Sequence, residues 1–206
     1  DTVLSRGLGD VYKRQAIELA NEGVEVLLIA RNEEKLNSVL NELSKKNNQN
    51  HSYIVADFEN ESDLKNKIEK FTSDNKIKID ILINNSGGPP PGKITDAKIS
   101  DFEKYMKMHL HCSHLLSQLF LPNMKKNRYG RIINIISISV KSPINNLGVS
   151  NTVRWAMASW AKTLSNEVAE YGVTVNNILP GFTMTERLRS LITVSYTHLR
   201  AHETRP

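Results

Sequence analysis

The chain has 206 residues, 39% hydrophobic and 24% charged, a size and balance suited to one globular domain with a real core. Its formal charge of +5 is scattered among Lys, Asn and Glu with no basic stripe, which argues against a nucleic-acid partner, and no apolar run approaches the ~20 residues of a membrane helix. The single cysteine, Cys112, permits no internal disulfide and fits a reducing compartment, which points to the cytoplasm.

At the N-terminus, Ser5–Gln15 (SRGLGDVYKRQ) can be written in codons whose reverse complement, shifted in frame, encodes VSYTHLRAHE, the sequence of Val194–Glu203. That DNA string resembles a transposon-type sequencing adapter. All 21 Asn lie between the two flanks, as expected if the flanks have a separate origin. Residues 1–15 and 194–206 are therefore expected to be translated adapter, and 16–193 a partial domain from the interior of a longer protein. The flanks carry +1 each, leaving +3 for this interior.

AIELANEG (Ala16–Gly23) reads as a helix end closed by glycine. Val24–Ala30 is a buried strand, followed by an amphipathic helix over Asn32–Lys46 with Leu36, Val39, Leu40 and Leu43 on one stripe. His51–Ala56 is the next strand and Ser62–Phe71 a charged helix. Asp80–Asn84 is a strand that ends in the turn-rich run Asn85-Ser86-Gly87-Gly88-Pro89-Pro90-Pro91-Gly92. A long helix opens at Ser100 with a Ser100/Glu103 capping box and runs to about Asn127. Gly130–Ser137 is a central strand, Ser150–Tyr171 a long helix and Val173–Pro180 a last strand. Strands alternating with helices predict an α/β, doubly wound parallel sheet of Rossmann type, truncated at both ends and lacking its first strand.

In such sheets ligands sit at the carboxyl ends of the strands. Those ends carry Arg31, Asp57, Asn84 to Gly87, Ser137 and Pro180-Gly181. Together with the NNSG turn, the G-R-I-I-N strand and V-T-V-N-x-x-x-P-G, they make residues 16 to about 191 resemble the short-chain dehydrogenase/reductase family. The likeness is to its 3-oxoacyl-carrier-protein-reductase-like subgroup. It implies a nicotinamide cofactor. Arg31 stands where an acidic residue would bind the ribose of NAD, so it either pairs with the 2′-phosphate of NADP or is an ordinary helix-start cation. NADP is expected, with NAD possible. Asp57 matches an aspartate on the adenine amino group and also suits a helix cap. Asn84, Ser86 and Gly87 match the turn that supports the sheet and lets backbone approach the cofactor. Pro180-Gly181 matches the turn beside the nicotinamide, with Thr183 and Thr185 placed either for its carboxamide or as caps.

Two departures from the family stand out. Counting back from Glu18-Leu19-Ala20, the glycines of the family's phosphate turn are due at positions 6, 10 and 12, which hold Arg6, Asp10 and Tyr12; Gly7 and Gly9 are out of register. The chain as it stands thus lacks the pyrophosphate cradle, and the fragment is expected to be inactive. The catalytic set of Asn, Ser, Tyr and Lys maps onto His109, Ser137, Ser150 and Arg154. Arg154 keeps the positive charge, but an aliphatic hydroxyl cannot replace a phenol of pKa about 10 as the acid. His109, with an ordinary pKa near 6.5, is the candidate substitute in a relay with Ser137, and Ser139 is an alternative serine. His109, His111 and His114 form H-x-H-x-x-H, but with no carboxylate or cysteine cluster to complete a site no metal is expected.

The expected parent is an NADP-preferring oxidoreductase that reduces a small-molecule carbonyl or oxidises an alcohol. The rival is a catalytically impaired relative that binds cofactor as a sensor or assembly subunit. Family members commonly form homodimers or homotetramers through the two long helices, where Trp155 and Trp160 belong either to an interface or to the core.

Overall fold

The computed structural model describes residues 2–6 and 10–181. They form a six-stranded parallel sheet in the order β3-β2-β1-β4-β5-β6. Its strands are β1 (Thr2–Arg6), β2 (Glu25–Ala30), β3 (Ser52–Val55), β4 (Ile81–Asn84), β5 (Gly130–Ile135) and β6 (Val173–Ile178). This is the doubly wound order, in which the chain reverses direction across the sheet between β1 and β4.

The expectation of a missing first strand is overturned. Thr2–Arg6 fills the slot between β2 and β4, with Leu4 opposite Leu27 on one side and Leu82 on the other. Val3 and Leu4 are fully buried. The physical reason is that two strands with unpaired inner edges leave a row of backbone donors and acceptors, and a short apolar β-prone segment satisfies both rows at once. Five residues suffice for that. Ala16–Asn21 is the end of a helix, as read from the sequence: α1 spans Asp10–Asn21.

β2 shows why both faces of the sheet must be covered. Leu27 and Ile29 pack with Leu64, Ile68, Leu116, Phe120 and Met124, whereas Val26, Leu28 and Ala30 pack with Tyr12, Ala16, Ala20, Leu36 and Val39. A strand apolar at consecutive positions is a strand buried on both faces. The first set belongs to the side of α3 (Glu61–Asp74) and α5 (Cys112–Asn127), the second to the side of α1 and α2 (Glu33–Glu42). At the end of β6, Ile178 is half exposed.

Several element ends differ from the sequence reading. α2 stops at Glu42 rather than Lys46, because Leu43 turns extended. The Ser44 carbonyl then accepts from His51 Nε2 at 2.7 Å. Nδ1 of the same ring accepts from the Val26 amide, so His51 joins that loop to the start of β2. The helix expected from Ser100 starts at Ile99, and its start is closed by the Asp101 carboxylate accepting from the Lys98 amide, not by Ser100 and Glu103. It is also not one helix: α4 (Ile99–Met106) passes through a wide π turn over Lys107–His111 into α5. Such turns push a residue off the helical ladder and recur at functional sites. α6 spans Gly148–Val168 and has a short 3-10 turn after it.

The loop after β4 is tied to the loop before α6. Gly92 N–H donates to Asn146 O at 2.8 Å and Gly148 N–H donates to Gly92 O at 3.0 Å. Asn151 pins the same loop through both backbone groups of Ile144. A Cβ on Gly148 would stand 2.6 Å from the Ile94 Cα. Gly148→Ala should therefore force backbone apart and lower stability by about 1–3 kcal/mol, read as a reduced urea midpoint at unchanged slope.

Candidate active site

Parallel pairing aligns Asn84 with Asn134 and Asn134 with Asn177 near the carboxyl ends of β4, β5 and β6. Asn84 Nδ2 donates to Asn134 Oδ1 at 2.8 Å, and Asn134 Nδ2 donates to Asn177 Oδ1 at 3.0 Å. Of these three only Asn84 was picked out from sequence. The signal was present, since G-R-I-I-N and V-T-V-N-N both carry Asn near a strand end, but the pairing register that brings them together is a tertiary fact. Asn84 Oδ1 is buried with no hydrogen-bond partner among the described residues.

The turn after β4 is held by the π turn. Ser86 and His109 are both buried, and Ser86 Oγ lies 2.7 Å from His109 Nδ1. His109 Nε2 lies 3.0 Å from the Gly87 carbonyl. A carbonyl only accepts, so Nε2 carries a proton; in the neutral ring Nδ1 then accepts from the Ser86 hydroxyl. These two bonds engage both ring nitrogens with the NNSG turn. The structure thus joins Ser86, Gly87 and His109. The three histidines also diverge: His111 Nδ1 lies 3.1 Å from Glu61, and His114 Nδ1 accepts from Trp160 Nε1 at 3.4 Å.

Ser137 follows β5 and caps a short 3-10 turn over Ile138–Val140. Its Oγ accepts from the Ser139 amide at 3.1 Å. Ser150 and Arg154 sit one turn apart on α6, both at the buried end of its inner face. Arg154 Nη1 donates to the Ile135 carbonyl at 2.8 Å, two residues before Ser137. Ile138 N–H donates to the Pro180 carbonyl at 3.2 Å, which brings the Pro180-Gly181 turn beside the serine. Trp155 Nε1 donates to the Ser139 carbonyl, and Ser139 Oγ is buried without a partner among the described residues. Trp155 is 48% exposed, while Trp160 packs with Ile136, Val140 and Met157. A cavity of about 200 Å³ opens nearby between the proline run, α4 and Val149, the residue before Ser150.

At the other end of the site, Arg31 follows β2 and Asp57 follows β3. Asp57 Oδ1 accepts from the Glu59 amide at 3.0 Å, which shapes the turn into α3; the α3 cap itself is Asn60. The place a Cβ would take on Gly87 has no heavy atom within 4 Å, so the NNSG turn leaves open space where a cofactor backbone approach is needed. With the orphaned Asn84 Oδ1, these residues fit a dinucleotide laid across the strand ends. Position 12 fits less well. Tyr12, at a position where the sequence reading expects a glycine for close helix–strand packing, is 4% exposed and wedged into the core beside Ala16 and Leu28. Burial raises its phenol pKa beyond the ordinary range. Gly7, Gly9, Thr183 and Thr185 lie outside the described residues.

Known proteins share this fold. The chain is 34% identical over 192 residues to a 3-oxoacyl-[acyl-carrier-protein] reductase of Rickettsia felis, covering 91% of this chain and 74% of that one. It is 29% identical over 183 residues to the 7alpha-hydroxysteroid dehydrogenase of Escherichia coli, covering 89% and 71%. Among solved structures, the NADPH-dependent reductase YwfH of bacilysin biosynthesis superposes with a TM-score of 0.86 at 24% identity, over 94% of this chain and 76% of that one. The short chain dehydrogenase family model matches residues 2–193, and this chain belongs to that family.

Proposed function

We propose that residues 16–193 are the core of an NADP-preferring, NAD-tolerant oxidoreductase that reduces a small-molecule carbonyl or oxidises the corresponding alcohol. The observation that carries this reading is the convergence of Arg31, Asp57, Asn84–Gly87, Ser137 and Pro180-Gly181 at the carboxyl ends of consecutive strands. The relatives named above are all named for oxidoreductase activity, which favours an enzyme over a sensor. We place it in the cytoplasm as a homodimer or homotetramer, on the strength of the lone Cys112 and of family habit.

When bound, the nicotinamide supplies or accepts the hydride. Ser137 spends one lone pair on the Ser139 amide, so its hydroxyl proton can be donated to the substrate oxygen. Arg154 holds the end of β5 by the Ile135 carbonyl and keeps a fixed positive charge near Ser137. Ser150 supplies a buried hydroxyl but no ionisable acid. His109 positions the NNSG turn through Ser86 and Gly87. Thr183 and Thr185 follow the Pro180-Gly181 turn and complete the nicotinamide side of this reading.

In a chain completed with its in-register phosphate turn, Ser150→Tyr with Arg154→Lys should raise the NADPH-consuming rate on a carbonyl panel by about 10²–10³-fold, the worth of one positioned general acid. An unchanged rate in a folded double variant counts against an aligned substrate pocket. In the same completed chain, His109→Ala should lower turnover about tenfold while His109→Asn, which can bond the same two partners, retains most of it; equal loss in both would favour a proton relay. Resequencing the source DNA across the junctions at Ala16 and Thr193 should reveal an in-register G-x-x-x-G-x-G in place of residues 1–15. Recovery of the present ends from genomic DNA would retire the adapter boundary.

A further inference from the structure

Beyond Arg31, the adenosine end of the site holds a second cation that no sequence motif marks. Lys104, from the last turn of α4, places Nζ 3.1 Å from Glu59 Oε1. Arg31 places Nη1 3.9 Å from the same oxygen. Two cations held on one oxygen at these distances lie within roughly 7 Å of each other, inside the ~8 Å Debye length of physiological salt. The three side chains come from separate elements: the end of β2, the turn after β3 that Asp57 shapes, and α4.

We infer that Lys104 and Arg31 together form the 2′-phosphate site, with Glu59 as the resident anion that keeps the pair gathered until the phosphate enters. Lys104 plays this part only if NADP is the cofactor, as proposed above. The chemistry favours it. A phosphate monoester near neutral pH carries about −1.5 to −2 charges and three acceptor oxygens, enough for a guanidinium fork and an ammonium at once. A single carboxylate oxygen shared by two cations leaves positive charge over; replacing its contacts by a phosphate uses that charge fully. Each cation is about half exposed, so the ion pairs themselves add little stability and can open without unfolding anything. Glu59 also raises the ammonium pKa of Lys104 while Arg31 opposes it, consistent with all three groups sensing one another.

The experiment is equilibrium binding of adenosine 2′,5′-bisphosphate and of 5′-AMP to the full chain by calorimetry at low and high KCl. The two probes differ only in the 2′-phosphate, so the pyrophosphate turn and the nicotinamide side do not enter the comparison. Wild type should prefer the bisphosphate, with a preference that shrinks as salt rises. Lys104→Gln should weaken the bisphosphate about tenfold and leave 5′-AMP within twofold. Glu59→Gln should change the preference the other way, tightening the bisphosphate severalfold by removing the competing carboxylate. Opposite signs from two exposed neighbours cannot arise from a general loss of structure. If wild type shows no preference for the bisphosphate, the NADP reading fails and this site with it. If wild type prefers it but Lys104→Gln and Glu59→Gln leave the preference unchanged, the NADP reading stands on Arg31 and the role of Lys104 is overturned.

Discussion

Two hydrogen bonds among three asparagines, Asn84 to Asn134 and Asn134 to Asn177, hold the ends of β4, β5 and β6 level with one another, and the placement of the site follows from that. A buried amide left unpaired costs about 1–3 kcal/mol, so the ladder penalises any other pairing. A one-residue slip would also send each side chain to the opposite face of the sheet. With the register fixed, the NNSG turn, Ser137 and Pro180-Gly181 emerge side by side. Backbone bonds between Ile136 and Ile178, and between Ile138 and Pro180, carry the same alignment past the last paired residues.

The ladder also explains how polar groups persist where the sheet is otherwise apolar. Each asparagine offers both a donor and an acceptor, so a chain of them is satisfied internally along its length and is left with an unmet group only at an end. That end is Asn84 Oδ1, at the central strand. Arg154 follows the same logic at the helix side: a buried guanidinium is tolerated because its N–H groups reach a strand-end carbonyl. A lysine has a single head for such work, whereas the flat guanidinium can bond backbone and still present charge.

His109 ties the turn after β4 to the helix that follows it. Burial beside Ser86 and Gly87 engages both its ring nitrogens with local partners, and the π turn that carries it joins α4 to α5. Together with the Gly92–Asn146 and Gly148–Gly92 bonds, this braces the proline-rich segment at both ends. The cavity beside Val149 has this braced proline run as one wall and Asp101 and Tyr105 of α4 as another.

By itself the sequence determined the α/β class, the positions of β2 through β6, and most of the residues at the strand ends. These rest on local signals: apolar runs of strand length, helical stripes such as Leu36, Val39 and Leu43, and short motifs that survive without neighbours. Only the tertiary structure decided that Thr2–Arg6 is a strand, because five residues become one when the edges on both sides are waiting for a partner. It also decided the company kept by His109, the run of Asn84 through Asn177, and the meeting of Arg31, Glu59 and Lys104. Each of those joins elements far apart in sequence, and such contacts arise from sheet register and helix packing, which no local pattern of residues encodes.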